Sequence, residues 1–246
     1  MERIGIISAM KEEIQALLHE LQNVKKSVKG RRTYYSGTLF NTNVVIVFSR
    51  WGKVASAATT TQLINDFNIT EIIFTGVAGA LSKNLNIGDV VIGKNLYQHD
   101  MDARPLFDRF EIPIIKKKFI TTKNTKELTN ATQQFLNTYN DFIDTTEAEN
   151  FKIISPKYIE GDIASGDQFI SSVAKIEQLN EVLPTAACVE MEGAAVAQVC
   201  FEYDVPFSII RIISDKANDN ATIDFPKFAN SIASNYALGI LKNYFA

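Results

Sequence analysis

Ala186-Ala187-Cys188-Val189-Glu190-Met191-Glu192 and, after a small-residue helix, Phe207-Ser208-Ile209-Ile210-Arg211-Ile212-Ile213-Ser214-Asp215 decide the fold. Each run is apolar in both phases of a two-residue period, the pattern of strands in the middle of a sheet covered by helices. Between them, Gly193 to Cys200 offers small residues that let a helix pack close to the sheet, and Asp204-Val205-Pro206 breaks it. The unit reads as strand, helix, parallel strand. It delivers Glu190, Glu192, Ser214 and Asp215 to one edge, where ligands of open α/β sheets bind. Arg211 belongs with them, because a guanidinium within an apolar strand is costly unless a carboxylate or a ligand pairs with it. A competing reading makes Arg211 and Glu190 a structural ion pair in the core and Asp215 a helix cap.

The 246 residues are 46% hydrophobic and 22% charged, with a net charge of −3. A chain of this size buries roughly 70 to 75% of its unfolded surface, and a single α/β domain over 1–246 is expected. Acids and bases are interspersed, with no basic stripe for nucleic acid and no polybasic membrane patch, so neither partner is expected. No apolar run approaches the roughly 18 residues of a membrane span and no signal pattern opens the chain, which points to the cytoplasm. Cys188 and Cys200 lie in apolar segments, and His19 and His99 have no partner at ligand spacing, so no metal is expected. Neither GxGxxG nor a P-loop occurs, and no cofactor is implied.

Arg3 to Ala9 reads as a buried first strand, followed by Ile14, Leu17, Leu18 and Leu21 at helical spacing. Glu13 falls in the expected first turn of that helix, about a quarter-turn from the centre of the apolar stripe. There it either faces the cleft as a base kept ionised by the helix dipole or only stabilises the helix end. Thr33–Phe40 and Val44–Ser49 read as an antiparallel pair around Asn41-Thr42-Asn43, and Val54 to Phe67 as a helix. Trp51, in the turn between them, walls a pocket or lids the core. Glu71 to Thr75 is a strand expected to end in a small-residue turn, Gly76-Val77-Ala78-Gly79-Ala80, and Ile87 to Ile92 is another strand. From His99 to Pro113 apolar side chains occur at no regular period, which marks an interface or a lid. Asn124 to Asp141 reads as a helix. Gly161 to Ile170 is a short strand and turn before a helix near Ser172 to Leu183, and Phe169 there either stacks on a heterocycle or staples that helix. The polar loop from Lys216 to Thr222 leads to Phe225 and a final helix with Phe228, Ile232, Tyr236 and Ile240 inward.

Gly5-Ile6-Ile7-Ser8-Ala9-Met10-Lys11-Glu12-Glu13, Ser165-Gly166-Asp167-Gln168-Phe169, Val189-Glu190-Met191-Glu192 and Arg211-Ile212-Ile213-Ser214-Asp215 occur in this order across nearly the whole chain. Together they resemble the nucleoside phosphorylase and nucleosidase superfamily, and within it the 5'-methylthioadenosine/S-adenosylhomocysteine nucleosidases. The resemblance implies an α/β, three-layer αβα fold with a central mixed, twisted sheet. It implies adenine release by hydrolysis of the N-ribosyl bond, without cofactor or metal. Asp215 would protonate adenine at N7, with Ser214 orienting it, and Glu13 would activate water. Glu192 and Met191 would hold the ribose hydroxyls, and Met10 would line the sugar side. Phe169 would stack on the base with Ile170 at its edge, and Phe225 would close over it. Glu190, Arg211, Trp51 and Val77 complete the expected substrate site. Members of this kind are homodimers whose loop matching 99–113, with Ala103, Leu106 and Phe107 here, reaches into the partner's pocket.

The chain departs from the pattern in three places: Val77 stands where serine is usual, Arg50-Trp51 where Gly-Ile is usual, and the loop Ala103-Arg104-Pro105-Leu106 differs from the usual one. Superfamily phosphorylases place an arginine near the N-terminus and a serine in the turn after a central strand to cradle phosphate. Glu13 and Val77 occupy those places, which points to water as the nucleophile. Arg50 keeps a phosphorylase open as the alternative, and a purine-nucleoside-binding protein without turnover is the third reading.

Overall fold

The computed structural model describes residues 3–123, 125–217 and 221–246, with backbone alone at 222 and 223. In chain order the elements are β1 (Ile4–Ser8), α1 (Gln15–Glu20), β2 (Gln22–Lys29), β3 (Arg32–Leu39), β4 (Thr42–Phe48), α2 (Lys53–Phe67), β5 (Glu71–Ala80) and β6 (Val90–Gln98). Then follow β7 (Ile120–Thr121), α3 (Thr125–Asn137), α4 (Thr145–Asn150), β8 (Tyr158–Ser165), α5 (Val173–Val182), β9 (Ala186–Glu190), α6 (Gly193–Glu202), β10 (Phe207–Asp215), α7 (Ala221–Phe228) and α8 (Ser234–Tyr244). Asn124 and Asn218-Asp219-Asn220, part of the expected helix and polar loop, lie outside the described residues.

Alternation along the strands builds two cores. In β1, Ile4 and Ile6 enter one and Ile7 the other; in β4, Val44 and Ile46 oppose Val45 and Val47; in β10, Ile210 and Ile212 oppose Ile209 and Ile213. Both phases are apolar because both faces of the sheet are covered. The first core is closed by α1, α3 and α8 through the buried Leu17, Phe135 and Tyr236, the second by α2 and α6 through Leu63, Val196 and Cys200. The result is the α/β, three-layer αβα arrangement around a mixed sheet. Of the residues expected inward on one final helix, Phe228 ends α7, Ile232 lies in a π-helical turn at Ala229–Ala233, and Tyr236 and Ile240 lie on α8; all four are fully buried. Among the described residues no helix is long and apolar enough to cross a membrane.

The sheet runs β10-β6-β8-β9-β5-β1-β4-β3-β2, and β10 also pairs with β5, so five strands close into a ring. That closure corrects the expected parallel unit. Strands β9 and β10 are not neighbours; β9 meets β5 antiparallel with Val189 opposite Gly79, while β10 runs parallel to β5 with Asp215 opposite the same Gly79. Their carboxyl ends converge because the sheet curls around that glycine.

Gly76 to Ala80 is the second half of β5 and not a turn. Small residues are needed there because other groups press onto the strand: a Cβ on Gly76 would stand 2.8 Å from Glu13 Oε1, and one on Gly79 would stand 2.8 Å from Ala217 Cβ. The first helix begins at Gln15, so Glu13 lies in the turn before it and not in a helical first turn. The expected strand from Ile87 starts at Val90, and the expected helix to Asp141 ends at Asn137 with a 3-10 turn after it. Strand β2 had no sequence signal, because Gln22-Asn23-Val24-Lys25-Lys26-Ser27-Val28-Lys29 is an exposed edge whose lysines guard it against further pairing.

Candidate active site

Arg211, on β10, is 1% exposed and places Nη2 2.6 Å and Nε 3.2 Å from Glu190 Oε2. Its Nη1 donates to the Ile210 carbonyl at 2.9 Å, and the guanidinium lies 4.1 Å from the centre of the Phe74 ring. Glu190 accepts in addition from the Ser165 hydroxyl and from the N–H groups of Glu192 at 3.1 Å and Gly193 at 2.8 Å. A buried carboxylate with this many donors is saturated by its own chain. Arg211, expected among the substrate contacts, therefore sits behind the pocket as the cation of a core ion pair.

In front of that pair are three further acids. Glu13 Oε2 accepts from the N–H groups of Ala9 and Met10, each at 2.9 Å, and its Oε1 from that of Val77 at 3.0 Å. Burial pushes its pKa above the ordinary carboxylate value, against the pull of Arg211 and of these donors. Glu192 accepts from the Gly52 N–H at 2.8 Å, and burial, then the charge of Glu190, push its pKa up to about 8. Asp215 accepts from the Ala217 N–H at 2.7 Å and from the Ser214 hydroxyl at 2.8 Å. Burial raises its pKa although both hydrogen bonds oppose the shift.

Strand β5 sets the spacing. Glu13 rests on Gly76, and a Cβ on Gly79 would stand 3.0 Å from Asp215 Oδ1. The two anchor points are three residues apart, about 10 Å along the strand at a rise of ~3.3 Å per residue.

Met10, Glu13 and Val77 line one side of the cleft, and Glu190, Met191 and Glu192 with Ser214 and Asp215 line its floor. Trp51, Phe169, Ile170 and Phe225 form the mouth. Trp51 is 52% exposed, so it walls the pocket and does not lid the core; its ring meets Phe225 edge-on at 5.9 Å, and Phe225 meets Phe169 at 5.7 Å. Ala103, Leu106 and Phe107 do not line this chain's own cleft; Leu106 is 84% exposed. Ala9, Ala78, Gly79, Gln168 and Val189 also line it and were not among the expected site residues, although Gly76 to Ala80 was read as a stretch that lets a ligand approach the backbone. Among the described residues no group of three or more His, Cys, Asp or Glu side chains is gathered as metal ligands.

A family model described as the phosphorylase superfamily matches residues 3–246. The chain belongs to this superfamily. Within the superfamily it is 36% identical over 231 residues to a 5'-methylthioadenosine/S-adenosylhomocysteine nucleosidase of Staphylococcus aureus, covering 94% of this chain and 93% of that protein. The structure of a nucleosidase of the same name from Colwellia psychrerythraea, in complex with adenine, superposes with a TM-score of 0.86 at 28% identity, over 99% of this chain and 94% of that one. A futalosine hydrolase of Helicobacter pylori superposes with a TM-score of 0.82 at 33% identity, over 99% of this chain and 97% of that one.

For this superfamily member, Arg211→Met is expected to lower the free energy of unfolding by about 3–5 kcal/mol, because it leaves the Glu190 carboxylate buried without its cation. Urea unfolding followed by circular dichroism measures it; a loss below about 1 kcal/mol would mean that the backbone donors hold Glu190 unaided.

Proposed function

We propose that this chain hydrolyses the N-ribosyl bond of 5'-methylthioadenosine, S-adenosylhomocysteine or both, releasing adenine as a step of methionine salvage. The observation that carries the reading is the pair Glu13 and Asp215: two buried carboxylates of raised pKa that line one cleft and rest against β5 at glycines three residues apart.

Adenine leaves poorly as an anion. Asp215, protonated, donates to N7 as the C–N bond breaks, so the bonding pair departs with a neutral base; such general acid help is worth ~10²–10⁴-fold, or roughly 3 to 5 kcal/mol. The Ser214 hydroxyl lies 2.8 Å from Asp215 and 3.4 Å from the Ala78 carbonyl, and so orients the acid. The ribosyl carbon gains positive character, which Glu192 stabilises while it and Met191 hold the ribose hydroxyls. Glu13 removes a proton from the water that attacks that carbon. Phe169 and Phe225 offer aromatic faces to the base, and Met10 and Trp51 line the sugar side.

Water is favoured over phosphate because the position nearest Val77 offers a carboxylate and no hydroxyl. Arg50, the cation that could have served phosphate, turns Nη2 to the Arg31 carbonyl at 2.6 Å. The likeness to a futalosine hydrolase leaves the nucleoside's substituent for direct assay to decide. The protein works in the cytoplasm as a homodimer: the exposed Leu106 and Phe107, with Ala103, suit a loop that reaches a second copy across a two-fold axis.

Asp215→Asn, nearly isosteric but without a carboxylic proton, is expected to lower kcat by ~10² or more while retaining nucleoside binding. Because the acid works protonated, wild-type kcat falls as pH rises through the raised pKa of Asp215, and the variant lacks that limb. Near-normal turnover would remove Asp215 from the acid role. Adenine release from methylthioadenosine is expected at a rate independent of phosphate and with free methylthioribose as the other product; formation of the sugar 1-phosphate would make the protein a phosphorylase. Phe107→Asp is expected to shift the protein from dimer to monomer in sedimentation and to lower activity at the same concentrations; an unchanged dimer rules that interface out.

A further inference from the structure

Lys53 and Asp100 take no part in the chemistry above, yet they join the two sides of the cleft mouth. Lys53 Nζ donates to Asp100 Oδ1 at 2.6 Å and to Gln98 Oε1 at 3.2 Å, and the Lys53 and Asp100 side chains are only 18% and 19% exposed. Asp100 Oδ2 accepts from the Asp167 N–H at 2.9 Å, and Asp167 Oδ1 accepts from the Lys53 N–H at 2.7 Å. The three residues thus form a closed circuit in which each is both held and holding. Gly52 is part of the fit: its φ is +92°, and a Cβ there would stand 2.9 Å from Asp167 Oδ1. The Gly52 N–H in turn holds Glu192.

On one side of the circuit the next residue but one is Trp51; on the other, two residues along, is Phe169. Phe225 touches both rings. Two loops that carry the aromatic walls are therefore tied by a largely buried ion pair and by two charge-assisted backbone hydrogen bonds made at the exposed Asp167.

We propose that Lys53, Asp100 and Asp167 are positioning residues that fix the separation of the Trp51 and Phe169 walls and thereby set the affinity for the nucleoside. What enters the cleft rests on the function proposed above; the junction between the walls does not.

Trp51 is the single tryptophan of the chain, so its fluorescence reports on one wall without any turnover. In the full-length protein, Lys53→Met is expected to raise acrylamide quenching of Trp51 and to raise KM about tenfold, a difference of about 1.4 kcal/mol, with kcat within about threefold of wild type. Asp100→Asn, a milder break that retains an acceptor for the Asp167 N–H, is expected to move both readouts in the same direction by less. Lys53→Arg, which keeps the charge, is expected to restore them. Unchanged quenching in both folded variants overturns the proposal, as does a loss of kcat with KM unchanged, or an Arg variant no better than Met. If Lys53→Met fails to fold, Asp100→Asn decides by the same readouts. If wild type releases no adenine, the function fails while Trp51 quenching still decides the junction.

Discussion

The contact between Arg211 and Glu190, 2.6 Å apart and both out of water, is the one on which the rest of the structure depends. Removing two ions from water costs several kcal/mol apiece, and their attraction offsets this only when the remaining donors and acceptors are also met. Here they are met from four directions: Ser165 at the end of β8, the first N–H groups of α6, the carbonyls of Phe74 on β5 and of Ile210 on β10. With β9, which carries Glu190, these elements are four of the five strands of the closed ring and the helix that covers it. The pair is therefore both a charge and a clasp.

Its charge is felt unequally by the acids of the cleft. Arg211 lies close enough to Glu13 to oppose the effect of burial on it, whereas the shift of Asp215 comes from burial and its own neighbours without any pull from that cation. Glu192, third of the acids around one cation, is pushed up to about 8 by burial first and then by the charge of Glu190, while the Gly52 N–H and Arg211 pull the other way.

The aromatic mouth follows a different logic. Trp51 and Phe169 are half exposed at the mouth of the cleft, and a large ring stays ordered in water where a neighbour fixes it. Phe225 supplies edge contacts to both, while the polar junction beneath keeps the two loops in place.

Apolar runs in both phases, with charged residues at their ends, were enough to recognise a sheet covered on both faces and to mark Glu190, Glu192, Ser214 and Asp215 as a cluster, because burial of a strand on both faces leaves a pattern that needs no partner to be read. The final helix and the antiparallel pair of β3 and β4 were legible for the same reason. The continuation of β5 through Gly76 to Ala80 was not, since small residues signal a turn until the groups that press on them are known. Nor was the placement of Arg211: whether a buried cation meets a carboxylate or a ligand is settled by which strand lies opposite it. The closure of β10 onto β5, the approach of Glu13 to Gly76 and the tie between Lys53, Asp100 and Asp167 join residues more than forty positions apart. Such contacts have no local period, and tertiary structure alone decided them.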